Sequence, residues 1–370
     1  MLESMNKKTL VIIGSSIIGL IVFLLIVVWL ISIIKPHYYT YEEFETKVSE
    51  AAKSYYKNNP TALPSTDGEY NMSYNTLVEG EYVKPLNEML KDGDNCTVQI
   101  LVTKYSDNYS YIPYLNCPGS YETKELYKVI SENNPVVEKG SGLYSDGNGG
   151  YYFRGEITNN YVQLGTYGET KKDQSRYLWQ ILGIESDGSV KIRSTVGTTK
   201  RYAWDDRYNE EIKEAKGINN FEVSRLKEFL DNYIDNNQTL ITAPRMMKLS
   251  KHSVCTGKIN EVDTNVCSSK VDNVYVSTIT AQDYVNASLD SNCSISNSIS
   301  CQNYNFLNKK SWTITAYKDN TYGAYYIDDT EGLQYGQAYL TRATLPVISL
   351  RSDTIYVSGT GTEAAPFMIK

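Results

Sequence analysis

The stretch TLVIIGSSIIGLIVFLLIVVWLISIIK, residues 9–35, constrains the chain more than any other part of it. Leu10 to Ile34 carries no charge. At about 1.5 Å per residue that run would make a helix of about 38 Å, against a hydrocarbon core of about 30 Å. It is longer than the apolar region of a secretory signal, and no small-x-small cleavage pair follows its end at Trp29-Leu30-Ile31-Ser32-Ile33-Ile34. The sequence therefore predicts a transmembrane helix over 9–35, with the membrane as a partner through a single-pass anchor. Lys7 and Lys8 precede the run and Lys35 alone follows it. That asymmetry places residues 1–8 in the cytoplasm and the remainder outside the cell.

All six cysteines, Cys96, Cys117, Cys255, Cys267, Cys293 and Cys301, lie beyond the run. An even number on the expected outer side reads as disulfides. Pairing by sequence neighbours gives Cys96–Cys117, Cys255–Cys267 and Cys293–Cys301, one of several connectivities open to six cysteines. Zinc is disfavoured, since there is no Cys-x-x-Cys and His37 and His252 are the only histidines. Segment 1–35 carries +2 (Lys7, Lys8 and Lys35 against Glu3) and the whole chain −7, which leaves −9 on the rest. Nucleic acid is thus not expected as a partner, nor anionic lipid as the main ligand.

Past residue 36, YEEFETKVSEAAKSYYKNNP repeats apolar residues at helical spacing: Phe44, Val48, Ala51 or Ala52, and Tyr55. Asn58-Asn59-Pro60 ends that helix. A short helical patch is expected near Thr76–Glu81. CTVQILVTKY and YSYIPYLNC alternate in the manner of strands around Ser106-Asp107-Asn108, a hairpin with Cys96 and Cys117 at its open ends. ENNPVVEKGSG, 132–142, reads as a linker. Beyond it, RYLWQILGIESDGSVKIRS predicts strands Tyr177–Ile184 and Ser189–Ser194. Phe221–Tyr233 has helical spacing. VYVSTITAQDYVNAS predicts a strand feeding a helix capped by Thr280 with Asp283 as partner. The expected class is α+β: the membrane helix, a small domain over 36–131, the linker, and a mixed domain over 143–370.

The order NNYVQLG, YLWQILGIESDGSVKIRS, STITAQDYVNAS, SWTIT and LPVISLRSDTIYVSGTGTEAAPFMI resembles a family of surface-exposed domains of unknown function from Gram-positive gut bacteria. Its members carry a W-R-I-x-x-I-x-x-D-G-S strand pair and a closing P-V-x-x-L…G-x-G-T segment. Gln180 stands where that pattern has Arg, and Leu345 where Arg often precedes Pro346. The resemblance covers about 150–370 and implies a C-type-lectin-like fold, an architecture that does not itself carry function. The preceding region is similar in outline to a pilin or pseudopilin. It lacks the processing motif, a Gly with Glu five places on, after Gly14 or Gly19.

No His-Glu-x-x-His, Gly-x-Ser-x-Gly, phosphate-binding loop or dinucleotide fingerprint is present, and His252 beside Cys255 is weakened as a catalytic pair by the expected oxidation of the thiol. No catalytic residue, metal or cofactor is expected. Asp146-Gly147-Asn148-Gly149-Gly150 lacks the downstream Glu of a calcium loop; Asp328, Asp329 and Glu331 form an acidic cluster of a kind that can ligate calcium, although a solvated hairpin tip is the favoured reading. The aromatic stretch after Trp312 is the candidate ligand surface: Tyr317, Asn320, Tyr322, Tyr325 and Tyr326, with Asp328 and Asp329. In a C-type-lectin-like fold this late region lines the ligand face. Tyrosine beside Asn and Asp also suits a glycan or protein ligand, although the same tyrosines equally suit a core. The expected function is a membrane-anchored extracellular adhesin- or receptor-like protein. The alternative is a structural subunit of a pilus-like or envelope assembly that self-associates through the pilin-like region.

Overall fold

The computed structural model describes residues 20–25, 38–105, 108–167, 175–236, 248–257, 267, 269–295 and 297–370. The chain divides into two compact units, Met1–Glu122 and Thr123–Lys370. It is mixed in class, with 24% helix and 34% strand. The expected transmembrane helix is corrected: among the described residues no helix is long and apolar enough to cross a membrane. Of the run 9–35 only residues 20–25 are described, as exposed helix. The rest of that expectation lies outside the described residues.

The first unit is built on α1 (Tyr41–Asn58). Thr40 accepts from the Glu43 amide while the Glu43 carboxylate accepts from the Thr40 amide, a reciprocal cap that satisfies two donors. The stripe buries Phe44, Val48, Ala51, Ala52 and Tyr56, so the inner tyrosine is Tyr56 and Tyr55 lies at the edge of the core. Strand β1 (Gly68–Ser73) leads through the Ser73-capped α2 (Tyr74–Glu79) and α3 (Leu86–Met89) to β2 (Thr97–Tyr105), β3 (Asn108–Cys117) and β4 (Tyr121–Glu122). The four strands form an antiparallel sheet in chain order. Alternation sends Met72, Ile100, Val102 and Leu115 to the same core as α1. The hairpin register pairs Thr97 with Asn116, which brings Cys96 and Cys117 together as a disulfide with 4.2 Å between Cα atoms.

The second unit starts with α4 (Leu126–Asn133). The two compact units divide between Glu122 and Thr123, so α4 belongs to the second. The reason is packing: Leu126, Val129 and Ile130 belong to the core cluster that contains Trp179, Trp204 and Trp312. Strands β5 (Gly142–Ser145), β6 (Tyr151–Arg154), β7 (Tyr161–Tyr167), β8 (Ser175–Ile184), β9 (Val190–Ser194) and β10 (Tyr202–Ala203) follow. Helices α5 (Arg225–Asp231) and α6 (Tyr233–Asn236) come next. Beyond them lie β11 (Leu249–Ser250), β12 (His252–Cys255), β13 (Lys270–Val274) and α7 (Ala281–Ala287). The chain closes with β14 (Ser311–Ala316), β15 (Gly323–Asp328), β16 (Gly332–Gln337), β17 (Thr341–Arg342), β18 (Val347–Leu350), β19 (Tyr356–Ser358) and β20 (Phe367–Ile369).

The main sheet runs β11-β18-β9-β8-β7-β20-β19, with β6 also on β8 and β5 on β6. Its pairs are antiparallel except β20 on β7. That one parallel pair seats the C-terminal strand one place in from the edge of the sheet, between β7 and β19. A separate sheet, β14-β15-β16, carries the late aromatic stretch, and β10 pairs with β17. The remaining disulfides are Cys255–Cys267 and Cys293–Cys301.

Candidate functional site

Strand β14 is buried along its whole length, so it serves as the base on which the late loops are mounted. Trp312 Nε1 donates to the Tyr202 carbonyl at 2.9 Å, and Trp204 Nε1 to the Thr313 carbonyl at 2.9 Å. Thr313 Oγ1 donates to the Tyr325 carbonyl at 2.8 Å. Each indole thus buries its rings while its one donor is satisfied.

The loop between β14 and β15 is held by an amide from elsewhere in the chain. Asn219 Nδ2 lies 2.9 Å from the Tyr317 carbonyl, 2.7 Å from that of Asn320 and 2.9 Å from that of Gly323. Asn209 Nδ2 reaches the Gly217 and Thr321 carbonyls at 2.9 and 3.2 Å. Asp205, fully buried, accepts from the Ile218 amide, the Arg225 amide and Arg207 Nε. Gly217 sits at φ +80°, and any side chain there would collide with the Asp205 carbonyl. Segment 205–219 is therefore a bracket that fixes 317–323 in place.

The expected ligand residues separate into three settings. Tyr325 is 5% exposed and belongs to a core cluster. Tyr317 stacks edge-on against it with centroids 5.6 Å apart and lies parallel to Tyr335, 4.1 Å away at an interplanar angle of 6°. Tyr335 is 57% exposed. A hydrogen bond to the Asp319 carboxylate, with some burial, pushes the Tyr317 phenol up to about 12, so it remains a neutral donor. Tyr322 faces Lys216, whose ammonium lies 5.8 Å from the ring centroid and pairs with Glu214. Asn320 is structural as well as near the surface: its Oδ1 accepts from the Tyr322 amide at 3.0 Å.

On the opposite face of β15, Tyr326 packs edge-on to Trp312 and flat beneath the Arg342 guanidinium, whose central carbon is 3.3 Å from its centroid. Asp328 is 9% exposed. Lys310 Nζ lies 2.7 Å from its Oδ2, and the Thr330 amide and hydroxyl donate to its Oδ1. Those hydrogen bonds, Lys310 first, hold its carboxyl well below the usual carboxylate range. Asp329 is exposed and its carbonyl accepts from Asn308 Nδ2. The acidic tip is thus neutralised by lysine, a poor arrangement for a cation ligand set.

Among the described residues the one cluster with metal-ligating side chains is Asp92, Cys96 and Cys117. Both sulfurs are consumed in the disulfide and Asp92 accepts from the Tyr41 hydroxyl at 2.7 Å, so no thiolate is offered. Cys255 is likewise oxidised, and His252 Nε2 lies 3.3 Å from Ser277 Oγ, a hydroxyl only 1% exposed.

Tyr335, Arg342, Lys216 and Asn219 were not among the residues expected from sequence. Tyr335 had a signal in the alternation of GLQYGQ. The other three carry none, because each acts on a segment distant in the chain. No family model, curated protein or solved structure matches this chain.

Proposed function

We propose that this is an extracellular binding protein whose second unit recognises a glycan or protein ligand at the end formed by β14–β16. The observation that carries this reading is the parallel pair of Tyr335 on Tyr317. A large ring left 57% exposed, yet backed by a second ring on a loop pinned by Asn219, is flat, apolar and rigid. Such a surface binds with little ordering cost. Three disulfides support an oxidising compartment. The resemblance to bacterial surface domains with a C-type-lectin-like fold agrees with this reading at the level of fold alone.

The test is an array of glycans and secreted or surface proteins probed with the full-length protein and with Tyr335→Ala. Reproducible binding that drops about tenfold or more in the variant, at unchanged melting temperature, is the expected result. Silence across both arrays, or binding indifferent to Tyr335, would remove the reading.

A further inference from the structure

Arg342 is placed differently from most of the other arginines described. Arg154 and Arg193 donate to backbone carbonyls, and Arg207, Arg225 and Arg351 pair with carboxylates. Arg342 has neither a carboxylate within ion-pair distance nor a carbonyl accepting from it among the described residues, and its Nε is buried without an acceptor. Its guanidinium carbon lies 3.3 Å from the Tyr326 centroid and 5.1 Å from that of Trp312. Gly336 makes room for this stack: a side chain there would come within 3.1 Å of Tyr326 and 3.2 Å of Arg342 Nη2. The carboxylate that could have answered it, Asp328, is held by Lys310. Arg342 pairs across β10–β17 with Tyr202, and the adjoining Arg201 is exposed. Burial is the main cause that lowers the Arg342 pKa; Tyr326 and the Asp328 charge oppose it, and Arg201 adds a little to it. A guanidinium stays charged under such pressure. The half-buried guanidinium clamped on Tyr326 thus has as charged neighbours Arg201 and an Asp328 carboxylate already paired with Lys310.

We propose that Arg342, supported by Arg201, Tyr326 and Trp312, is the binding site for the carboxylate of an acidic sugar. This rests on the binding function proposed above and names its ligand class. A guanidinium held flat against Tyr326 presents its remaining N–H groups in its own plane. A planar carboxylate meets that fork with two parallel hydrogen bonds. Sulfate can meet the same fork, so sulfated counterparts are included in the test.

Full-length protein is titrated with oligosaccharides ending in sialic or glucuronic acid, with their methyl esters, with sulfated counterparts and with an aspartate-rich peptide. The free acids are expected to bind at least about tenfold more tightly than the esters. Arg342→Gln abolishes that preference. Arg342→Lys, which keeps the charge without the fork, loses most of it. Melting curves report whether each variant folds, and the acid-to-ester ratio on the unaltered protein tests the assignment without any variant. Equal binding of acids and esters, or preference for sulfate or peptide, overturns the carboxylate assignment. If neutral glycans bind through Tyr335 in that case, the binding function survives it. If no ligand binds in any arm, both fall.

Discussion

Lys191 Nζ lies 3.2 Å from Asp283 Oδ1, joining β9 to the first turn of α7 across 92 residues of chain. Asp283 is also the capping partner of that helix: its Oδ2 accepts from the Thr280 amide at 2.8 Å while its own amide donates to Thr280 Oγ1. One carboxylate thereby sets both the start of a helix and its position over the sheet.

Asp283→Ala removes the cap and leaves Lys191 half-buried and unpaired. A loss of roughly 2 kcal/mol is expected in urea unfolding, below the cost for a fully buried pair because both side chains keep some solvent contact. Burial opposes the Asp283 charge, but Lys191 and the Thr280 hydrogen bonds outweigh it and its pKa is lowered. The stabilisation is therefore complete above the unfolded value of about 4 and fades as pH falls below it. In Asp283→Ala that acid limb should be shallower.

His252 produces a slope in a different window. Burial, helped by the Lys191 charge, lowers its pKa from 6.5 to about 4. The unfolded chain then binds a proton that the folded chain refuses, so stability rises with pH between about 4 and 6.5 and is level above. The span is at most about 3 kcal/mol. Melting temperatures of the unaltered protein and of His252→Gln across pH 4–8 check it; the variant should lose this slope.

In the first unit, Cys96–Cys117 closes the β2–β3 hairpin at a sequence separation of 21. Replacing both cysteines by alanine is expected to cost about 3 kcal/mol. Amide exchange in β2 and β3 reads this directly. Without reductant, thiol labelling should leave all six cysteines unmodified, since the three pairs include every one of them.

Asn219→Ala withdraws one amide from three carbonyls. The expected cost is about 1–3 kcal/mol, with faster amide exchange concentrated in 317–323. Glycan or protein binding should weaken in parallel although Asn219 is itself buried. An Asn219→Ala protein with unaltered exchange in that loop would contradict the bracketing role assigned to it.

Much of the local architecture was legible in the sequence. The Thr280–Asp283 box, the α1 stripe and the β8–β9 pair, with its turn ending at Gly188, depend on residues a few positions apart. Their physical causes are capping, helical period and turn conformation, and each is written in one short window. The candidate site was legible only in part. Tyr325 and Tyr326 are adjacent and chemically alike, yet one fills a core and the other supports Arg342. Alternation predicts that they face opposite sides of β15; it does not say what lies on either side.

The sequence by itself marked several of the main elements to within a few residues, because caps, periodicity and turns follow from backbone and side-chain preferences over short windows, while it left the cysteine pairing open among several connectivities. Tertiary structure alone decided that α4 belongs to the second unit, that Asp328 is taken by Lys310, and that the Nε of Arg342 is buried without an acceptor. Each of those outcomes depends on partners brought together by the sheet order, and the burial of a charge or an apolar face has no energy until its neighbours are in place.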